Sequence, residues 1–104
     1  MNNKPTQSYT ELRRYTEKWQ WTDPRTGLRQ VGYVHPETAR NVERYPFFIK
    51  FLTKSGHVDQ GQCVCLAVDT DRHQRKVQFV DSKQIRVVND ILVIEVDGTR
   101  FITH

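Results

Sequence analysis

The chain has 104 residues, a formal net charge of +4, and 37% hydrophobic and 27% charged residues. That length makes one domain with a modest core, and no apolar run approaches the roughly 20 residues that a membrane-spanning helix needs. The N-terminal stretch lacks the apolar region of a signal peptide, so the expected address is cytoplasmic and no membrane partner is implied. The basic excess is N-terminal: residues 1–50 hold nine Lys/Arg against five acids, whereas residues 51–104 hold seven of each. Clustered cations are what a polyanion such as nucleic acid rewards, and they also make an ordinary solvated surface.

In chain order, residues 1–7 are polar and read as a loose tail. Ser8-x-x-Glu11 then begins a capping box, with Tyr9, Leu12, Thr16 and Trp19 on one face of a short helix. Trp19-Gln20-Trp21-Thr22 alternates as a strand, Asp23-Pro24-Arg25-Thr26-Gly27 is a turn, and residues 28–34 resume the extended pattern, which predicts a hairpin. Trp19 and Trp21 share a face. On the returning strand Arg29, Val31 and Tyr33 share one, and paired across the hairpin the two sets form an aromatic and basic surface suited to base stacking beside phosphate contacts. The competing use of the two indoles is core filling.

Pro36 suits the first turn of a helix, and Ala39 and Val42 give residues 36–45 an apolar edge before Pro46 ends it. Such a helix, about two turns long, would lie over an open barrel end with Arg40 and Arg44 one turn apart on its outer side, either free or paired with Glu37 and Glu43. Residues 47–52 form an aromatic-rich strand, Thr53-Lys54-Ser55-Gly56 turns the chain, and residues 62–68 form a strand apolar on both faces. Cys63, Cys65 and Ala67 project one way; Val64, Leu66 and Val68 project the other. Residues 69–75 read as an exposed, charged hairpin tip.

The C-terminal third reads as a continuous antiparallel meander of four short runs. Val77 and Phe79 alternate with polar neighbours, and Asp81-Ser82-Lys83 turns the chain. Ile85, Val87 and Val88 follow, and Asn89-Asp90 turns it again. Residues 91–96 lead into Asp97-Gly98, a strong two-residue hairpin signal. The run 91–96 is apolar on both faces except for Glu95, so its second face needs a cover, either another layer of this chain or a second copy of it.

One resemblance rests on these residues. Ile49-Lys50-Phe51-Leu52-Thr53-Lys54-Ser55-Gly56, then Gly61 and Val68-Asp69, resembles the first motif of Sm-like proteins, and Val96-Asp97-Gly98-Thr99-Arg100-Phe101-Ile102 is similar to their second. SH3-type small barrels share the pattern of glycines between alternating strands. Over residues 47–103 the resemblance implies a five-stranded, strongly bent barrel that assembles into rings and binds RNA.

Catalytic and cofactor motifs are thin. His57, Cys63, Cys65 and His73 contain the elements of a Cys₂His₂ zinc site, but not at a recognised ligand spacing, and small buried thiols explain the cysteines better. About 7 Å apart along a strand, their Cα atoms are too distant for a mutual disulfide, so reduced thiols are expected. Phosphate loops and dinucleotide fingerprints are absent, so no metal or cofactor is implied. The expected fold is mostly β, a small antiparallel barrel or sandwich of about six strands with one or two short helices, in a single domain spanning residues 1–104. The expected function is non-enzymatic nucleic-acid binding through Arg13, Arg14, Trp19, Trp21, Arg25, Arg29, Tyr33, Arg40 and Arg44. Its rival is a protein interaction or assembly module, as a homodimer, a higher oligomer or a subunit of a larger complex. A small Cys/His hydrolase or metal enzyme is the third class.

Overall fold

The computed structural model describes residues 6–102. Among these the chain is mostly β, with ten strands in two sheets and one short α-helix. No helix among the described residues is long and apolar enough to cross a membrane. Of the tail expected over residues 1–7, residues 1–5 lie outside the described residues. Thr6–Ser8 is not loose but forms β1, which pairs in parallel with the last strand of the chain. Ser8 then caps a 3-10 turn, Tyr9–Glu11, by accepting from the Thr10 backbone N–H. Glu11 does not close a capping box; it pairs with Arg14 at 3.0 Å. Helix α1, Arg13–Thr16, is shorter than expected; Thr16 and Leu12, the residue before the helix, are buried, while Trp19 belongs to the next strand.

Strands β2 (Trp19–Thr22), β3 (Arg29–Gly32) and β4 (Arg40–Arg44) form a three-stranded sheet in the order β3-β2-β4. The predicted hairpin is β2–β3. The helix expected over residues 36–45 is replaced by a turn after Pro36, closed by Ala39 N–H donating to the Pro36 carbonyl, and by β4. Two turns of helix recover too few hydrogen bonds to offset nucleation. As a strand the same residues complete the second edge of β2, with Asn41 at a positive φ of 51° where the pairing register shifts.

The larger sheet joins β1 to β5 (Phe47–Leu52), β6 (Val58–Asp69), β7 (Gln74–Phe79), β8 (Ile85–Asn89), β9 (Val93–Val96) and β10 (Thr99–Ile102), in the order β1-β10-β9-β5-β6-β7-β8. Strict alternation puts Phe47, Ile49 and Phe51 of β5 into the core beside Cys63 and Cys65, Val77 and Phe79, Val88, Val93, Val96 and Phe101, with Leu12 closing it from α1. Gly61 approaches the core ring Phe79 so closely that an added Cβ would stand 3.0 Å from it, on a backbone with φ of 157°.

Three strand expectations need correction. A bulge after Cys65 shifts the register, so Cys65 faces Val77 but Ala67 faces Lys76. Ala67 is therefore exposed and Val68 packs on the core, the reverse of a regular alternation. Residues 91–96 are not one strand: Asn89 caps a second 3-10 turn, Asp90–Leu92, and only Val93–Val96 is extended. A matching irregularity in the β5–β9 pairing lets Val93 and Val96, three residues apart, both point inward. Finally, the meander is broken, because β9 pairs with β5 and β10 and not with β8.

That break shapes the sheet. Four strand spacings separate β8 from β9 in the sheet order, which is about 19 Å if flat. The connection from Asn89 to Val93 can span at most about 14 Å. The sheet must therefore curl until its β8 edge returns toward β9, and the 3-10 turn crosses the seam without a ladder closing it.

Candidate nucleic-acid interface

Register in the β2–β3 hairpin decides which predicted site residues meet. Trp19 lies opposite Gly32 and Trp21 opposite Gln30, while Gln20 lies opposite Val31 and Thr22 opposite Arg29. Cross-strand partners share a face. The two indoles therefore project from one side, as expected, but Arg29 and Val31 project from the other, and the single aromatic and basic surface predicted from them does not form. Arg29 is committed to its own side. It donates to Thr22 Oγ1, to the Asn41 carbonyl and to Glu43 at 2.9 Å.

On the indole face, Arg44 stacks over Trp19 with its guanidinium carbon 3.8 Å from the ring centroid, and donates to the Glu17 carbonyl. His35 stands edge-on to Trp19 at 5.4 Å. Trp19 is thus half-buried under a cation of its own chain, a cation–π arrangement that leaves the ring little free face. Trp21 is buried, its ring filling the space left by the missing side chain of Gly32. Only its rim reaches an open groove of about 320 Å³ shared with Arg25, Gln30 and Pro36. Arg40 is exposed on β4, away from the pairing with Glu37 or Glu43 that a helix would have allowed.

Tyr33, just past β3, behaves differently. It is 48% exposed, and its hydroxyl donates to the Arg14 carbonyl at 2.6 Å. The ring is thereby fixed beside α1, and Tyr33, Arg13, Arg14 and Thr10 line an open groove of about 430 Å³. Arg14 keeps its ion pair with Glu11, but both side chains are solvent-exposed, and such a pair contributes about 0–1 kcal/mol, too little to hold Arg14 from a phosphate. Of the nine predicted residues the structure brings Arg13, Arg14 and Tyr33 together around one exposed ring. It groups Trp19 with Arg44 and Trp21 with Arg25 elsewhere, and leaves Arg29 and Arg40 apart.

The sequence reading missed a buried ionic cluster. Arg75, assigned to an exposed hairpin tip, is 5% exposed. Its guanidinium donates twice to Asp90, at 2.8 and 3.2 Å, once to Glu17 at 3.0 Å and once to Thr16 Oγ1. Thr16 in turn donates to the Leu12 carbonyl. The signal was present, since Arg75 shares the inward parity of Val77 and Phe79. Burial alone would lower the Arg75 pKa, but the bonds and charges of Asp90 and Glu17 reverse this and raise it, so the group stays charged. The cluster ties α1, β7 and the second 3-10 turn into one unit.

Cys63 and Cys65 are buried free thiols. Burial, with the charge of Asp59 adding to it, pushes the Cys63 thiol up to about 12. Burial also raises Cys65, against the opposing charges of Arg75 and Arg44. Both are inert at neutral pH. Among the described residues no group of three or more His, Cys, Asp or Glu is placed to hold a metal ion. No protein-family model matches this chain, and neither does any curated protein or solved structure.

Proposed function

We propose that the protein is a non-enzymatic binder of single-stranded nucleic acid, with Tyr33 as the stacking platform and Arg13 and Arg14 as the phosphate contacts. The observation that carries this reading is the exposed Tyr33 ring, anchored through its hydroxyl to the α1 backbone in a groove shared with both arginines. Unpaired bases stack on any exposed aromatic face, whereas duplex bases are already stacked, so an exposed ring beside cations favours a single strand. Exposed Arg25 and Arg40 extend the positive field along the small sheet. The curled run β9-β5-β6-β7-β8, bridged by a 3-10 turn, supports the small-barrel part of the reading, the architecture shared by Sm-like and SH3-type domains.

Titration of a fluorescent single-stranded homopolymer across a salt series separates the two roles. Tyr33→Ala weakens binding by about 1–3 kcal/mol with little change of salt slope, Tyr33→Phe retains most of the affinity, and Arg13→Ala flattens the slope by about 0.7. If Tyr33→Ala binds as the parent does while the arginine variants lose affinity, the cations are the whole interface and the stacking platform is refuted.

A further inference from the structure

Another exposed surface is the free edge of β8, which ends the larger sheet. Its hydrogen-bonding parity follows from the two ends of the β7–β8 ladder. Phe79 N–H donates to the Gln84 carbonyl and Asp90 N–H donates to the His73 carbonyl. Antiparallel pairs alternate, so Gln84, Arg86 and Val88 turn their backbone groups toward β7, while Ile85, Val87 and Asn89 turn theirs outward. Among the described residues β8 ends the sheet, and the only partner recorded for these outward groups is the exposed Arg86 side chain, which donates to the Ile85 carbonyl. The same two residues, Ile85 and Val87, carry exposed apolar side chains, at 50% and 60%. Unpaired backbone groups and bare β-branched side chains thus coincide on one edge, with none of the proline or bulge devices that usually blunt it.

Charge selects the occupant. Lys76 lies opposite Val87 on β7, Lys83 stands in the turn before β8, and Lys54 and Arg86 line, with Leu52, Val87 and Leu92, a groove of about 280 Å³ at the curled seam. Against these four cations stand Asp59, 3.8 Å from Arg86, and the turn residue Asp81. A second copy of β8 would bring arginine and lysine against their own images, since residues 83–89 hold no acid. We infer that the β8 edge accepts an extended acidic segment of a partner protein, which adds as a strand, pairs its backbone with Ile85 and Val87, sets apolar residues on their side chains and directs the carboxylates of its opposite face at Arg86 and Lys54, which line one groove.

The test uses the full chain, isotope-labelled for amide NMR, with a synthetic hexapeptide alternating valine and glutamate as the probe and its valine–lysine counterpart as the control. The acidic peptide shifts the Ile85, Val87 and Asn89 amides saturably at up to millimolar concentration, and the basic one does not. Val87→Pro removes an outward N–H that the β7 ladder does not use and abolishes those shifts. Val87→Glu, at an exposed position, weakens binding by about tenfold, because it sets a carboxylate against the valines of an acidic peptide. Equal binding of both peptides, shifts centred elsewhere, or no shift at these three amides overturns the inference. So does a free protein that sediments as a dimer with these amides already protected from exchange.

Discussion

Arg75 links three parts of the structure, because its guanidinium, carried on β7, bonds to residues at the end of α1 and in the turn before β9. Removing one partner of a buried ionic cluster strands the others, so Arg75→Ala is expected to cost about 3–5 kcal/mol in urea denaturation. The double variant Arg75→Met with Asp90→Leu should regain a large part of that loss, as the remaining charge, Glu17, reaches solvent. A single variant no less stable than the parent would show that the cluster does not hold α1. Cys63 gives a pH signature. Its folded pKa is raised from 9.0 to about 12, so the folded chain holds the proton after the unfolded chain has lost it. The stability this thiol contributes is complete below about pH 9 and is lost as pH rises toward about 12. Cys63→Ala should therefore be less stable at neutral pH, by about 1–2 kcal/mol, yet decline less steeply between pH 9 and 12. Parallel stability curves for the two proteins would remove the thiol from the alkaline transition. That Cys63 and Cys65 are buried was legible from their small size and shared face. The role of Arg75 was equally legible from its parity with Val77 and Phe79, but a charge-rich neighbourhood hid it.

At the scale of elements, local signals held where a turn or an alternation had one solution. Asp97 and Gly98 both adopt positive φ, at 48° and 84°, as a two-residue hairpin between twisted strands requires. Asp97 also accepts from the Phe48 backbone N–H, which docks the turn onto β5. The aromatic strand β5 has the bounds its pattern gave. What failed depended on partners remote in sequence. Residues 40–44 carry a weak helical pattern, and only the free edge of β2 makes them a strand. Which face of the hairpin Arg29 shares is a matter of register, and register is fixed by the turn and by β4 rather than by composition. The bulge after Cys65 likewise has no signature in the alternation it interrupts. Gly61 is the glycine with the largest consequence. Gly61→Ala forces a Cβ to 3.0 Å from Phe79 on a backbone that L residues rarely adopt, and a loss of about 1–3 kcal/mol is expected from overpacking and strain. An unchanged urea midpoint would mean that β6 relaxes freely at this point.

Across the whole molecule, two exposed surfaces differ chemically. One is the Tyr33 groove beside α1, polar and cationic; the other is the β8 edge, apolar with a cationic rim. The basic excess of the first 50 residues is only partly available to a ligand, because Arg44 is half-buried over Trp19 and Arg29, though exposed, is shared among Thr22, Asn41 and Glu43, while Arg13, Arg14, Arg25 and Arg40 remain at the surface. Affinity for a polyanion should accordingly be modest and strongly salt-dependent. The most direct measurement of the central claim is an amide NMR titration of the full chain with a single-stranded homopolymer RNA at low salt. The account predicts saturable shifts centred on Arg13, Arg14 and Tyr33, fading as salt rises and leaving Ile85 and Val87 unmoved. An absence of shifts at millimolar nucleotide, or shifts centred on the β8 edge, would contradict it.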